Sequence, residues 1–143
     1  MGELLVSTGH KDADVQNYRR ALSLDSAVAC VSYDIDGTHF ERTAFVSYPD
    51  NVLVLRFRRS GSGQQTLRLT YSPNPVATGT LAPEGKDGLC YSARLDNNGM
   101  QFVVRLRAVA HGGTVKNTDG TLTVEGAEEV IFFLTADTDY APN

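Results

Sequence analysis

The sequence contains no tryptophan and only two cysteines, Cys30 and Cys90, among its 143 residues. Two cysteines are too few for a disulfide scaffold, and these two lack the spacing of metal ligands. Such residues most often pack as small apolar side chains in the core, and a single disulfide bridge is the alternative. Without tryptophan, an aromatic platform for sugars would have to come from the six tyrosines and six phenylalanines, most of which alternate into predicted core faces.

Long apolar runs and an excess of basic charge are also missing. No stretch approaches the roughly 18 consecutive apolar residues of a membrane span. The N-terminus, MGELLVSTGH, has no charged-then-apolar signal pattern, so export cannot be read from it. The formal net charge is −4, and the basic residues are scattered singly along predicted strands. We therefore expect neither nucleic acid nor a membrane surface as a partner.

A long helix is the third absence. No segment of ten or more residues shows helical periodicity, and turn signals recur about every eight to twelve residues. This pattern, together with 13 glycines, 5 prolines and 41% hydrophobic residues, is typical of an all-β domain. We predict a two-sheet antiparallel β-sandwich that forms one domain over residues 1–143, and a closed barrel is the alternative.

The stretch from Ala27 to Phe57 fixes how the strands can be arranged. Asp36-Gly37 lies between two runs of strand-favouring residues, and Asp-Gly favours the two-residue type I′ turn of a hairpin. Pro49-Asp50-Asn51 then turns the chain into a third strand that ends at Phe57. The first turn predicts a core face that holds Ile35/Thr38, Tyr33/Phe40, Val31/Arg42, Ala29/Ala44 and Ala27/Val46, and an opposite face that holds Asp34/His39, Ser32/Glu41, Cys30/Thr43 and Val28/Phe45.

Arg42 is the discordant member of that core face. Its charge is costly there unless a carboxylate pairs with it or the side chain reaches water. Tyr18 to Leu24 is predicted as a strand in which Arg19 and Arg20 point to opposite faces. We expect Arg20, Arg42 and Asp50 to form an internal ion-pair network that fixes the turns, with direct ligand contact as the alternative.

The remaining segments complete a predicted meander. Glu3–Thr8 reads as a short strand, and Gln65–Tyr71 is predicted to pair with Val52–Phe57 through a hairpin loop. Residues 72–88 hold three of the five prolines and are predicted to form an irregular crossover between the sheets, with a partner surface as the alternative. Further strands are predicted over residues 89–95, 100–109, 114–116, 121–125 and 129–136, the last of which is apolar on both faces and therefore central.

The polar segment after the first strand has a weak similarity to a calcium loop. Asp12, Asp14 and Asn17 supply oxygen ligands, but the sixth position is not glycine and the twelfth, Ser23, is not glutamate. No metal is therefore expected. His10, in the same segment, is expected to be solvated or to cap a turn.

Groups that could perform catalysis are few. His39 faces Asp34 across the predicted hairpin and is expected to form a surface charge pair, while His111 lies at a turn. No Ser/His/Asp or Cys/His motif, phosphate-binding loop or dinucleotide-binding glycine pattern is present. The sequence thus assigns no catalytic, cofactor-binding or metal-ligating residue, and it predicts no cofactor. A small enzyme is a rival interpretation that would use acids predicted at turns: Asp25, Asp36, Asp50, Asp87, Asp96 and Asp119.

The run from Asn17 to Phe57 closely resembles the N-terminal β-sandwich of glycoside hydrolase family 95, the inverting α-L-fucosidase type, some of whose relatives act on α-L-galactosides. The opening GELLV with Gly9-His10 and the strands from Phe102 to Ala136 are also similar, so the resemblance covers nearly the whole chain. Three clusters carry the match: Tyr18-Arg19-Arg20 with Leu22, Leu24 and Asp25 before Ala27-Val28-Ala29; Phe40 and Arg42 before Phe45; and Ser47-Tyr48-Pro49-Asp50 before Val52 and Val54. The last of these clusters is the specific one.

This resemblance implies a galactose-mutarotase-like supersandwich that packs through a helical linker on an (α/α)₆ barrel, with the family's catalytic residues in the barrel. We therefore expect residues 1–143 to be a non-catalytic fragment of a larger hydrolase, secreted or periplasmic, that meets fucosylated glycans through its catalytic domain. A stand-alone carbohydrate-binding module is the alternative. The family has an aromatic-rich stretch before the GELLV-like strand that this chain lacks. The sandwich is thus expected to be incomplete at its N-terminal edge, and the exposed edge favours a dimer.

Overall fold

The computed structural model describes residues 2–141, which form β-strands joined by tight turns and one 3₁₀ turn at Asp12–Asp14. These strands and turns confirm the all-β prediction. No helix in this range is long and apolar enough to cross a membrane. The strands are β1 (Gly2–Ser7), β2 (Gln16–Ser23), β3 (Val28–Ile35), β4 (Thr38–Ser47), β5 (Val52–Ser60), β6 (Thr66–Pro73), β7 (Ala77–Glu84), β8 (Gly88–Leu95), β9 (Gln101–His111), β10 (Thr114–Thr118), β11 (Thr121–Glu125) and β12 (Glu129–Thr138).

The strands form two antiparallel sheets that share one apolar interior. The smaller sheet has four strands in the order β1-β6-β11-β10, and the larger has eight in the order β2-β3-β4-β5-β12-β9-β8-β7. Each sheet has two open edges, so the sandwich prediction is confirmed and the closed-barrel alternative is wrong. The difference in strand number also means that the smaller sheet cannot cover the whole of the larger one.

The β3–β4 hairpin has the predicted turn, and its register is as predicted from Ile35/Thr38 to Ala29/Ala44. The predicted pair Ala27/Val46 is not formed, because Ala27 lies in the turn before β3 with a φ angle of 54°, and Val28/Phe45 is not among the paired residues either. Asp36 and Gly37 have φ angles of 48° and 73°, which is the left-handed pair that a type I′ turn requires. Because side chains alternate along a strand, a slip of one residue would move Tyr33, only 4% exposed, to the opposite face. The observed partners on the inner face are Ile35/Thr38, Tyr33/Phe40, Val31/Arg42 and Ala29/Ala44.

The core lies between the smaller sheet and strands β5, β12, β9 and β8 of the larger one. Leu69, Leu122, Val130 and Phe132 are each 0% exposed and belong to one apolar cluster. Burial of such side chains contributes about 1.5–3 kcal/mol each. β12 pairs with β5 on one side and with β9 on the other, so the prediction of a central strand that is apolar on both faces is confirmed.

One strand pairing predicted from the sequence is wrong. β6 does not return beside β5; it lies in the smaller sheet, between β1 and β11. The edge of β5 that it was predicted to occupy is filled by β12. The alternating apolar residues of β6 fit the inner face of either sheet, so periodicity alone could not choose its partner.

The segment over residues 72–88 crosses from the smaller sheet to the larger, as predicted, but most of it is regular. Residues 77–84 form β7, which is an edge strand paired only with β8. Its composition suggested a loop because Gly79 and Pro83 are unusual inside strands. An edge strand tolerates Pro83 because only one of its sides donates and accepts ladder hydrogen bonds. Gly79 fits because β8 approaches it closely, and a Cβ there would collide with Ser92 and Ala93.

Candidate functional site

Strands β2, β3 and β4 carry an apolar inner face that the smaller sheet leaves uncovered. One cross-strand row begins at Leu22 in β2 and reaches Phe132 of β12 in the core. Its members in between are Ala29, Ala44 and Leu55. Phe132 is 0% exposed, whereas Leu22 is 64% exposed. We call the uncovered surface, formed by Leu22, Ala29, Ala44 and Val46, the overhang face.

The overhang face continues into other exposed apolar side chains at the same end of the sheet. Val46 is 69% exposed, and Leu24 and Tyr48, in the turns beside it, are 86% and 95% exposed. Contiguous exposed apolar surface of this kind usually marks a contact with another protein or domain. The overhang face is therefore the candidate docking surface of the chain.

A cleft of about 380 Å³ lies further along the same inner face, where the chain passes from β1 to β2. The pairing of β2 with β3 shifts register between Gln16 and Arg19, and an irregularity of this type redirects a side chain. Tyr18 lies within this shift and lines the cleft. The full lining is Thr8, His10, Asp12, Val15, Tyr18, Val31, Tyr33 and Arg42.

A hydrogen-bonded chain of three side chains forms one wall of this cleft. Arg42 Nη2 donates to the hydroxyl oxygen of Tyr33 at 2.7 Å, and the same hydroxyl lies 2.9 Å from Nδ1 of His10. A guanidinium has donors only, so the Tyr33 oxygen accepts from Arg42 and its hydrogen is available to His10. The His10 ring packs edge-on against Phe40, with ring centroids 4.4 Å apart.

Arg42 is held by rings and a phenol instead of an acid. Its guanidinium carbon lies 5.2 Å from the ring centroid of Tyr33 and 5.7 Å from that of Phe57, which is the geometry of cation–π contacts. Over residues 2–141, no carboxylate pairs with Arg42. Burial lowers the pKa of His10 below its usual value, and the positive charge of Arg42 lowers this pKa further. His10 is therefore neutral at pH 7.

The predicted ion-pair network of Arg20, Arg42 and Asp50 is wrong. Arg20 shares a cross-strand row with Arg42 but is exposed, and Asp50 accepts a hydrogen bond from Ser47 at 2.6 Å in the β4–β5 turn. Arg42 lies near the middle of β4, too far along the strand from that turn to meet Asp50. The expectation that His10 is solvated or caps a turn is also wrong, since its ring is half-buried and bonded to Tyr33.

The predicted pair of His39 and Asp34 is confirmed and lies on the outer face of the larger sheet. His39 Nδ1 is 2.6 Å from Asp34 Oδ1, and Asn17 donates to Asp34 Oδ2 at 2.7 Å. The hydrogen bond from Asn17, followed by that with His39, lowers the pKa of Asp34. The His39 side chain is 49% exposed, so this is a surface pair beside a strand irregularity and not an enclosed catalytic site.

The cysteines are free thiols and do not lie in the core. Cys30 and Cys90 are both half-buried, so the disulfide alternative and the expectation of core positions are both wrong. Cys30 faces Thr43, and Cys90 faces Arg105, on the outer side of the larger sheet. Their alternation with inward residues such as Val31 and Tyr91 follows directly from the period of two in a strand.

A cavity of about 560 Å³ lies at the ends of β7, β8, β9 and β12, and its lining includes two acidic side chains, Asp137 and Asp139. Both are exposed, and each accepts a hydrogen bond of 2.8 Å from a backbone amide, that of Thr138 for Asp137 and that of Gln101 for Asp139. Glycoside hydrolysis requires an acid whose pKa is raised by enclosure, opposite a second carboxylate. These two exposed carboxylates do not form such a pair.

The residues that resembled the start of a calcium loop do not converge on one point. Asp12 and Asp14 lie in the 3₁₀ turn, while the side chain of Asn17 is bonded to Asp34. Across the described residues, no group of three histidine, cysteine or acidic side chains could hold a metal ion. The cleft wall is not predictable from the sequence either, because strand alternation places Tyr33 and Arg42 on one face but carries no signal that brings His10 to them.

The whole chain matches one family of protein domains. A family model described as "Glycosyl hydrolase family 65, N-terminal domain" matches residues 1–143. "Alpha-L-fucosidase 2" of Arabidopsis thaliana is 28% identical over a match that covers 93% of this chain and 18% of that protein. "Probable alpha-fucosidase A" of Aspergillus niger is 33% identical, and the match covers 98% of this chain and 17% of that protein. The chain thus spans less than a fifth of the length of either relative.

A solved structure has the same fold at low sequence identity. The structure named "Putative kojibiose phosphorylase from human microbiome" superposes with a TM-score of 0.66 over 96% of this chain and 22% of its own, at 7% identity. The predicted resemblance to the N-terminal domains of α-L-fucosidases is confirmed by the two sequence relatives. The matching family model is described under glycosyl hydrolase family 65, whereas the resemblance was to family 95. The structural neighbour supports the fold alone.

Proposed function

The chain belongs to the N-terminal domain family of glycosyl hydrolase family 65, and from this premise we propose that it is a non-catalytic domain of an α-L-fucosidase-type glycoside hydrolase. In this proposal residues 1–143 act as one structural unit that supports a helical (α/α)₆ catalytic barrel of the same polypeptide. Fucosylated glycans meet the barrel and not this domain. The observation that carries the proposal is the match of the entire chain to less than a fifth of two α-fucosidases.

The overhang face is the surface that the proposal assigns to the rest of the polypeptide. Leu22 and Val46 are 64% and 69% exposed on the inner side of the larger sheet, whereas Phe132 and Leu106, on the same side over the core, are 0% and 4% exposed. Interfaces between domains of one chain cover about 600–1,500 Å², and an uncovered three-strand surface suits an interface of that class. The two small residues between them, Ala29 and Ala44, leave the centre of the face shallow enough for close approach.

The first experiment separates support from catalysis. We expect this chain alone to give no hydrolysis of an aryl α-L-fucoside, and the longer polypeptide that contains it to hydrolyse the substrate. Activity of the isolated chain that disappears when one carboxylate, for example Asp137, is replaced would contradict the proposal.

The second experiment tests the docking surface in the longer polypeptide. Leu22→Asp and Val46→Asp are expected to lower its thermal transition and to increase proteolysis between the domains, because each places a charge in an apolar contact. Val109→Asp is the matched control, since Val109 is 51% exposed but lies on the outer face of β9. Equal effects of all three substitutions would exclude the overhang face as the contact.

The smaller sheet supports one further assignment, a dimer through β1. This strand is an edge, paired only with β6 along a regular register, and Leu5 at its centre is 51% exposed. Such an edge, with no proline or lysine to block it, favours antiparallel pairing with a second copy. Light scattering of the isolated chain should then give twice the monomer mass, and Leu5→Lys should return it to a monomer. A monomeric mass for the unmodified chain would contradict the dimer.

A further inference from the structure

The cleft between the β1–β2 connection and the inner face of β2, β3 and β4 contains an arginine that lacks an acidic partner. Arg42 is half-buried, and within the range 2–141 its contacts are the Tyr33 hydroxyl and two aromatic rings. Buried or half-buried cations usually have an anion as partner, because a guanidinium loses hydration on burial. The remaining donors of this guanidinium are not used by any carboxylate in the described part of the chain.

The polar groups of the cleft wall are mainly donors. Arg42 can only donate, and the Tyr33 oxygen already accepts from it. The His10 ring, whose Nδ1 lies 2.9 Å from the same hydroxyl, carries one N–H donor in its neutral form. Arg20 does not line the cleft but is exposed in the same cross-strand row as Arg42, so it adds a second positive charge nearby. Such a wall is complementary to an anion that accepts several hydrogen bonds.

The volume of the cleft and its aromatic side chains indicate which kind of molecule would present the anionic group. A volume of about 380 Å³ is at the lower end of ligand sites, which measure roughly 300–1,000 Å³. Tyr18 is 61% exposed and lines the cleft beside Tyr33, so a ring face is available for the apolar side of a sugar. An Arg side chain is suited to a planar carboxylate, because its forked donors match the two oxygens.

We propose that this cleft binds a monosaccharide-sized acidic sugar, a hexuronate, with the carboxylate on Arg42 and the sugar ring against Tyr18. The proposal assigns a binding site to the N-terminal domain itself and does not depend on the chemistry of the catalytic domain. Asp12 lies at the exposed rim of the cleft and opposes the binding of an anion. Its removal should therefore strengthen the site, which gives the proposal a gain-of-binding test.

The experiment is a titration of the intact chain with glucuronate, followed by calorimetry and by NMR shifts of the Tyr18 and Tyr33 rings, at low and high salt. Glucose and L-fucose are the neutral controls. We expect saturable binding of glucuronate, at least about tenfold weaker binding of the neutral sugars, and weakening by salt. Arg42→Gln should weaken glucuronate binding about tenfold or more, and Arg42→Lys less, because the charge remains.

Two exposed positions keep the test independent of folding. Asp12→Asn should strengthen glucuronate binding about two- to fivefold without a change for glucose, because the change removes a like charge near the carboxylate. Tyr18→Ala should weaken binding of the sugar acid about three- to tenfold, with an unchanged circular dichroism spectrum. Absence of saturable glucuronate binding would overturn the proposal. Equal affinity for glucose or fucose, or no response to both Asp12→Asn and Tyr18→Ala, would overturn it as well.

Discussion

Replacement of Arg42 by methionine tests how the half-buried cation is held. The change removes the hydrogen bond to Tyr33 and the contacts with the rings of Tyr33 and Phe57. A hydrogen bond from a charged group contributes about 1.5–3 kcal/mol, and cation–π contacts contribute about 0.5–2 kcal/mol. Contacts between the methionine sulfur and the same rings contribute about 0.3–1.5 kcal/mol. The variant also has no guanidinium to desolvate, which offsets a further part of the loss. We therefore expect the free energy of unfolding to fall by about 1–2 kcal/mol.

Urea unfolding followed by circular dichroism at pH 7 measures this loss directly. For a chain of this length the same loss lowers Tm by roughly 3–8 °C. A double-mutant cycle with Tyr33→Phe isolates the hydrogen bond, and we expect a coupling energy of about 0.5–2 kcal/mol. Arg20→Met is the matched control, because Arg20 is exposed in the same cross-strand row and its replacement should change stability by less than about 0.5 kcal/mol.

Two results would refute this reasoning. A loss of about 3–5 kcal/mol is the cost of breaking a buried ion pair, and it would mean that an acid pairs with Arg42 in solution. Unchanged stability together with zero coupling to Tyr33 would mean that the guanidinium lies in water and that the observed contacts contribute nothing. The first result would also remove the unpaired cation on which the proposed anion site depends.

Three further predictions concern the turns, the half-buried histidine and the core. Gly37→Ala should cost about 1 kcal/mol from its positive φ alone. Gly113→Ala should cost more in the same urea assay, since its Cβ would also collide with backbone atoms of residues 125–127, where β11 passes into β12. The pKa of His10 is lowered from 6.5 in the folded state, so the unfolded state binds more protons below that pH. The free energy of unfolding should therefore fall as the pH drops below 6.5. His10→Gln should reduce this fall between pH 7 and 5, and an identical pH profile for the variant would contradict the prediction. Leu122→Ala, at 0% exposure, should cost about 2–5 kcal/mol, whereas Leu24→Ala, at 86% exposure, should stay within about 0.5 kcal/mol; comparable losses by thermal unfolding would show that Leu24 is covered.

Local rules predicted the hairpins well. The Asp36-Gly37 pair selects its turn type through backbone sterics, and the turn sets the β3–β4 partners from Ile35/Thr38 to Ala29/Ala44. The apolar run over residues 130–134 predicted that β12 is central, because no polar residue falls on either face within that run. The prediction of an irregular segment at β7 was wrong. A glycine and a proline favoured a loop there, and the sequence carries no signal that this strand lies at a sheet edge, where both residues are tolerated.

The cleft was predicted only in part. The alternation of β3 and β4 placed Tyr33 and Arg42 on one face, and this much follows from the hairpin turn. The partner of Arg42 was predicted to be an acid, because the desolvation of a buried guanidinium costs free energy that a carboxylate partner offsets. The structure supplies aromatic rings and a hydroxyl instead, and His10 reaches them from a connection whose path has no periodic signal.

The sequence by itself determined where most strands lie along the chain, the inward and outward sides of β3, β4 and β9, and the register of the β3–β4 hairpin from Ile35/Thr38 to Ala29/Ala44. These depend on side-chain alternation and on the dihedral angles of two or three turn residues, which are local properties. Only the tertiary structure decided that β6 joins the smaller sheet, that β2, β3 and β4 extend beyond it, and that His10 meets Tyr33. Those features depend on which distant apolar faces pack together, and many pairings of similar strands satisfy the same alternating pattern.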